Sequence, residues 1–389
     1  MCYINIAEND LFFRNIFVIS QAITAYGMFE KAYTIVSSQT QGTIKDMCLS
    51  VLSQITDSNI LKIAFFGKVQ SNEEYLQNIA TIRNSVQEYY HADAPLISYI
   101  AQETATQKLL AEVTLLTDGY ATVERHRNFT LLKNGEYAEL ITGGIIPDDM
   151  SASTYEQANC IFKGIEKMLQ SNGFKPSDIY RQWNYIQGIT MLNDGSQNYQ
   201  EFNDARSIFY SKCEWNNGYP AATGIGADAG GVVVEVNAIK CNERNLPIDN
   251  PLQIAAHNYS QDVLDGKVIE TLNERTTPKF ERARLLGNTI FISGTAAIKG
   301  EQSINSLNAV EQTAETMEIM DRLVSKENIP TPNNGSHYHL LRVYVKRNED
   351  IEPVRDYMNT HYPEALKHYL VADVCRPELL VEIEGIAHI

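Results

Sequence analysis

Two glutamates near the end of the chain, Glu382 and Glu384, lie in the run 379–386, LLVEIEGI. Side chains alternate along a strand with a period of two, so both carboxyls point to one face of a segment otherwise made of Leu, Val and Ile. Carboxylates in such surroundings are costly unless they are exposed or used. Burial beside a second carboxylate raises the pKa of one of them and leaves a protonated acid near neutral pH, as general-acid chemistry requires. An edge strand with its polar face in water accounts for the same pattern, and the spacing alone leaves both readings open.

Basic residues stand out because the chain is acidic, with 48 Asp and Glu against 32 Lys and Arg and a net charge of −16. Arg206 closes the segment YQEFNDAR, and Arg282 and Arg284 lie in PKFERAR. A guanidinium grips a carboxylate through two parallel hydrogen bonds, which suits recognition of a small organic acid. For each arginine taken alone, a solvated surface charge is the alternative. Ser293-Gly294-Thr295 ends a strand-like run, where small residues let a ligand approach the backbone. The glycine-rich run 223–231, TGIGADAGG, is followed by a strand and not a helix and lacks a Gly-Lys-Ser/Thr ending, so it reads as a tight turn and not a phosphate loop. His337 and His339 share one face of a strand without a third ligand at matching spacing, and no metal site is expected.

The remaining composition bounds the class. A chain of 389 residues predicts two domains, or one built twice. An apolar share of 44% with 21% charged residues fits a soluble globular protein. The negative balance disfavours nucleic acid and anionic lipid as partners. Cys2, Cys48, Cys160, Cys213, Cys241 and Cys375 are dispersed without a CxxC pair, as for thiols kept reduced. No apolar run approaches the roughly 18 residues that span a bilayer. Residues 1–30 lack a basic start and a cleavage site, so a cytoplasmic location is expected.

Residues 1–95 are the least legible, with a strand at 60–68 and a helix at 73–90. Strands are expected at 96–101, 110–116, 129–132 and 137–142. A helix capped by Ser153 and stopped by Asn172-Gly173 follows, then a strand at 179–186, a helix at 199–210 and a strand at 231–239. The second half repeats this order: strand 288–297, helix 306–325, strand 338–345, short helix 351–357, strand 379–386. Gly143 and Gly294 are 151 apart (294 − 143), Glu156 and Glu311 155 (311 − 156), and Glu235 and Glu382 147 (382 − 235). A near-constant offset of about 150 predicts duplication of one α+β unit, a mixed sheet with helices on one face, at 96–240 and 241–389. Residues 1–95 then form an N-terminal extension of unassigned role. Two such units side by side make a cleft, the usual place for a ligand.

With these motifs in hand, LLVEIEGIA resembles the C-terminus of the YjgF/RidA superfamily. The ordered set APLISYIAQ, RQWNYIQGI, YxxFNDAR, YPAATGIG, VEVNAIK, PKFERA, ISGTAAI and ADVCRPELLVEIEG resembles more specifically the chorismatases, also known as pteridine-dependent deoxygenase-like proteins. These motifs run from about residue 95 to the end. The resemblance implies two tandem YjgF/RidA-like units, the first degenerate and the second carrying the catalytic strand. It also implies cleavage of the enolpyruvyl ether of chorismate, with release of pyruvate and either a dihydroxycyclohexadiene carboxylate or a hydroxybenzoate. The family's catalytic glutamate falls on Glu382, seven residues after Cys375 (382 − 375), and delivers a proton to the terminal methylene carbon. No metal or redox cofactor is implied. Arg282 is the leading candidate for one of the two carboxylates of this dianionic substrate, followed by Tyr259 and Arg206, with Ala296 and Cys375 lining the pocket. Whether the chain acts as a monomer or a homo-oligomer stays open.

Two departures bear on this. The deaminase branch of the superfamily has an arginine where this chain has Lys367, which weighs against imine or enamine deamination. Residues 262–275 match no pattern of the family. A non-catalytic small-acid-binding regulatory protein is the other alternative.

Overall fold

The computed structural model describes residues 29–389 except 118, 120, 136, 242–243, 269–272 and 305–307. The expectation for the first thirty residues therefore lies almost wholly outside the described residues, as does the start of the helix expected at 306.

Besides two two-stranded hairpins, the described residues build three larger sheets, and one order of elements recurs in each. The first comprises β1 (Lys31–Ser37), α1 (Ile44–Leu52), β2 (Ile60–Gly67), α2 (Asn72–Tyr90), β3 (Leu96–Ala101) and β4 (Leu110–Leu116). The second has β5 (Thr122–Arg125), β6 (Phe129–Asn134), β7 (Tyr137–Thr142), α3 (Thr154–Ser171), β8 (Ile179–Gln187), α4 (Asn198–Tyr210), β9 (Ala221–Ala227) and β10 (Val232–Lys240). The third has β11 (Asn245–Ile248), β12 (Ala283–Leu286), β13 (Thr289–Ala296), α5 (Ala309–Leu323), β14 (His337–Val345), α6 (Ile351–His361), β15 (Leu366–Val371) and β16 (Val381–His388).

The spatial orders are β1-β4-β2-β3, then β9-β8-β10-β7-β6-β5, then β11-β12-β13-β16-β14-β15 with the two-residue strand Glu103–Thr104 added beyond β15. In each sheet the last strand slots between the first and second strands of a strand–helix–strand–helix–strand–strand run. The one parallel pair of that run is β2 with β3, β8 with β9, or β14 with β15. The class is α+β.

The architecture differs from the expectation in more than the unplaced elements β1, α1, β5, β11 and β12. β3 and β4 close the first sheet, so a division at residue 96 cuts through it, and the N-terminal segment is a shorter sheet of the same order. The run 223–231 is not one turn. Ala221–Ala227 is a strand paired parallel to β8, and the turn is confined to 228–231, where Gly230 and Gly231 adopt φ of 97° and 62°, open to glycine at no steric cost. Each unit also contains a strand after its short helix, β9 or β15, that the sequence pattern did not reveal.

Period-two patterning decides what each face meets. Val232, Val234, Val236 and Ala238 of β10 pack in one cluster with Ile161, Ile165, Phe202 and Phe209 of α3 and α4, while Val381, Ile383 and Ala387 of β16 pack with Met317, Met320 and Val354 of α5 and α6. The helices therefore cover one face of each sheet. The opposite faces, carrying Lys62, Arg181, Arg342, Glu112, Glu235 and Glu384, meet at the centre, where ion pairs join one sheet to the next. Helix ends are fixed locally: Ser153 with Glu156, and Asn308 with Glu311, form reciprocal capping boxes. Among the described residues, no helix is long and apolar enough to cross a membrane.

Candidate active site

β9 of the second sheet runs beside β13 of the third, and their seam opens into a cavity of about 500 Å³. The seam is tied by Ala222 N donating to Ser293 Oγ at 2.9 Å and Gly294 N donating to Thr223 Oγ1 at 3.1 Å. Ser293 Oγ in turn donates to the Glu281 carbonyl at 2.6 Å, so this serine fastens backbone. Small residues (Ala222, Gly224, Gly294, Ala296) keep the floor of the cavity open.

Glu382, Arg282, Tyr259, Arg206, Ala296 and Cys375 all line this one cavity. Glu382 does not sit on an edge: β16 is interior, with Glu382 opposite Ala296 on β13 and Tyr344 on β14. The residue is 5% exposed, and its carboxyl makes no ion pair or side-chain hydrogen bond among the described residues. Burial, reinforced by the charge on Glu384 and opposed by Arg181, pushes its pKa up to about 8. At neutral pH it is therefore predominantly a carboxylic acid.

Glu384 has the opposite environment. It accepts from Arg181 and Thr223, from Trp183 Nε1 at 3.1 Å, Arg342 Nη1 at 3.1 Å and Tyr344 OH at 2.8 Å. Burial opposes its charge, but Arg181, Arg342 and these donors prevail and hold its carboxyl below the ordinary range. One carboxyl of the pair is thus neutral and the other ionised, the separation that general-acid sites use.

Three arginines face the cavity. Arg282 donates to the Ile254 carbonyl at 2.6 Å and to Tyr259 Oη at 2.7 Å, and its buried Nε is unpaired among the described residues. Arg206 donates to Asn203 Oδ1 at 2.6 Å and likewise keeps an unpaired Nε. Arg376 donates to the Glu301 carbonyl and to Ser303 Oγ, and its guanidinium lies 5.6 Å from the Tyr259 ring centre. The exposed Asp262 and Asp265 stand at the rim. The Cys375 thiol is pushed up to about 12, mainly by burial and then by Glu382, so it contributes shape and not a thiolate.

Sequence reasoning missed Arg376, although it lies within a quoted motif, and missed Arg181, Trp183 and Thr223, whose partner is more than 150 residues away. Arg284 points elsewhere: its guanidinium is spent on Asn245 and on the carbonyls of residues 217–219. Lys367 Nζ donates to the carbonyls of Tyr362 and Ala365 and lies outside the cavity. The rings of His337 and His339 pack 5.8 and 5.1 Å from that of His388, and among the described residues no group of three His, Cys, Asp or Glu could hold a metal.

Comparison with known proteins places the chain. The family model for the N-terminal part of FkbO/Hyg5-like chorismatases matches residues 114–238. A 3-hydroxybenzoate synthase of Streptomyces hygroscopicus is 28% identical over 297 residues, covering 72% of this chain and 82% of the relative. A chorismatase of Streptomyces rapamycinicus is 31% identical over 246 residues, covering 58% of this chain and 68% of the relative.

The chain belongs to the chorismatase family. A crystal structure of a chorismatase superposes with a TM-score of 0.70 at 21% identity, covering 93% of this chain and 99% of the other, so the fold is shared along almost the whole chorismatase chain. The family model ends before the strand that bears Glu382 and spans the second sheet, which supplies the Arg206 wall of the cavity.

Proposed function

We propose that this enzyme cleaves the enolpyruvyl ether of chorismate, with Glu382 as the general acid. The observation that carries the reading is a buried carboxyl without a hydrogen-bond partner among the described residues, facing a cavity that three arginines line, with its pKa pushed up to about 8. Chorismate is a dianion. Arg282, oriented by Tyr259 at the cavity wall, is placed for one carboxylate, and Arg206 or Arg376 for the other.

Glu382 transfers its proton to the terminal methylene carbon, making it a methyl group and leaving an oxocarbenium ion at the ether carbon. Water adds to that carbon and loses a proton to the Glu382 carboxylate. The resulting hemiketal collapses by breaking the bond to the ring oxygen, giving pyruvate and a dihydroxycyclohexadiene carboxylate.

A second product is favoured by the coverage of the 3-hydroxybenzoate synthase relative, 82% of whose length aligns. Internal attack by the ring hydroxyl and aromatisation release pyruvate and a hydroxybenzoate with no net uptake of water. Incubating the purified protein with chorismate and following pyruvate tests both routes; folded protein that releases none overturns the proposal. Mass analysis of the ring product separates the routes, because the two products differ by one water.

A further inference from the structure

The three sheets can be compared residue by residue through their strand registers. Lys62 on β2 stands opposite Thr114 on β4, Arg181 on β8 opposite Asn237 on β10, and Arg342 on β14 opposite Glu384 on β16. Two residues along, Ala64 faces Glu112, Trp183 faces Glu235 and Tyr344 faces Glu382. Glu112, Glu235 and Glu382 are therefore counterparts, one per sheet, as are the cations Lys62, Arg181 and Arg342. All six are buried.

Each cation reaches across a seam to the next sheet, and the three pairs close a ring. Lys62 Nζ lies 2.6 Å from Glu235 Oε2. Arg342 holds Glu112 through Nε at 2.7 Å and Nη2 at 2.6 Å. At these two seams the cation neutralises the counterpart of Glu382. At the third, Arg181 pairs with Glu384 instead, a position occupied by Thr114 and Asn237 in the other sheets.

We propose that Glu384 is a positioning residue: by holding Arg181 it keeps that cation off Glu382 and leaves Glu382 able to act as an acid. The inference rests on the reading of Glu382 as the acid. Every other group around Glu382 agrees with it. Among the described residues of β8, Arg181 acts on it through space; from α4 comes Tyr199, whose phenol burial keeps neutral; from the loop before β16, the neutral Cys375 thiol; β13 offers Gly294 and Ala296. Tyr344 on β14 donates to Glu384 and not to Glu382. Arg206, Arg282 and Arg376 line the same cavity, but among the described residues the cation that acts to lower the pKa of Glu382 is Arg181, the one Glu384 holds, and the charge of Glu384 itself also opposes ionisation of Glu382.

The test is the pH profile of Glu384→Gln. With the carboxylate gone, Arg181 is released toward Glu382, and the pH above which kcat/KM declines moves down by at least about one unit, with roughly a tenfold loss at neutral pH per unit moved. Adding Arg181→Met to Glu384→Gln removes the released cation and moves the pH limb back up, short of the wild-type position because the charge of Glu384 is still missing, whereas a merely structural role makes the double variant worse than either single one. Arg181→Met alone, available even if Glu384→Gln does not fold, must leave the limb in place or move it up. An unmoved limb in folded Glu384→Gln, or a lowered limb in Arg181→Met, overturns the proposal.

A readout independent of turnover is the infrared carbonyl stretch of protonated Glu382, identified as the band lost in Glu382→Gln. It is expected at neutral pH in the wild type and lost at lower pH in Glu384→Gln. A band that titrates as expected without pyruvate release sinks the chorismate reading and keeps the inference. Pyruvate release with an unmoved band does the reverse.

Discussion

Glu382 and Glu384 lie two residues apart on the same face of β16, yet Glu384 accepts hydrogen bonds from five side chains while Glu382 accepts none among the described residues. The strand is buried on both faces, so the difference does not come from solvent. It comes from which carboxyl lies within reach of Arg181 and Thr223, and it separates an ionised group from a neutral one.

Replacing the acid by its amide is the most direct consequence. Glu382→Gln keeps the shape of the side chain and removes its proton, and pyruvate release from chorismate is expected to fall on the order of 10²–10⁴-fold. Chorismate should still raise the melting temperature of the variant, because Arg282 and Arg206 are untouched. Turnover within threefold of wild type would remove Glu382 from the mechanism.

The raised pKa of Glu382 fixes two pH dependences. On the proposed mechanism activity requires the protonated form, so kcat/KM should decline as pH rises through about 8. For stability, the folded state holds a proton that the unfolded chain, with its carboxyl near 4.5, releases earlier. This contribution is fully present below 4.5 and lost as pH rises through about 8, at about 1.4 kcal/mol per pH unit across that window. Urea unfolding should therefore show Glu382→Gln gaining stability relative to wild type between pH 5 and 9, and a constant difference would contradict the assignment.

Gly294 is a steric test of the same group. A Cβ there would sit 2.0 Å from Glu382 Oε1 and 3.1 Å from Thr223 Cγ2, so the acid must swing away. Gly294→Ala is expected to lower kcat on the order of 10²-fold, as misplacement by about an ångström does, with a smaller change in the urea midpoint. Unaltered kcat would show that the carboxyl works from another position.

Among the arginines, Arg282 should carry most of the substrate binding, since Tyr259 and the Ile254 carbonyl fix its guanidinium at the cavity wall. Loss of a charge-assisted pair is worth about 1.5–3 kcal/mol, so Arg282→Ala should raise KM for chorismate roughly 10- to 100-fold. Arg282→Lys should recover little, because a point charge does not reproduce a two-pronged grip. Steady-state kinetics of both variants check this.

The Lys62–Glu235 pair should be structural. Lys62→Met leaves a buried carboxylate without its cation, at a cost of about 3–5 kcal/mol, while Lys62→Met with Glu235→Leu should recover most of that loss. Urea unfolding of the three proteins measures it; equal stability of single and double variants would refute the coupling.

Much of this was legible in the sequence where the signal is local. Ser153 and Glu156 announce a helix start, strand β10 reads as an apolar run, and the offset between Glu235 and Glu382 relates residues that prove to be register counterparts. All six site residues named from the sequence reach one cavity. What was not legible depends on partners distant along the chain. β9 carries two glycines and looks like a turn until β8 pairs with it. The first sheet hides because its shortest copy of the element order lacks the two leading strands of the others. The role of Glu384 depends on Arg181, 203 residues away, and no spacing rule connects them.

A ring assembled from identical subunits repeats every interface, so a change made at one is imposed on all. Here the three seams are written at separate positions of a single chain. A substitution at Glu384 has no echo at Thr114 or Asn237, and Glu112 and Glu235 are free to stay in their ion pairs while Glu382 is left to the role proposed for it. Joining the units covalently has removed the symmetry constraint that would otherwise force three equal compromises between holding together and doing chemistry.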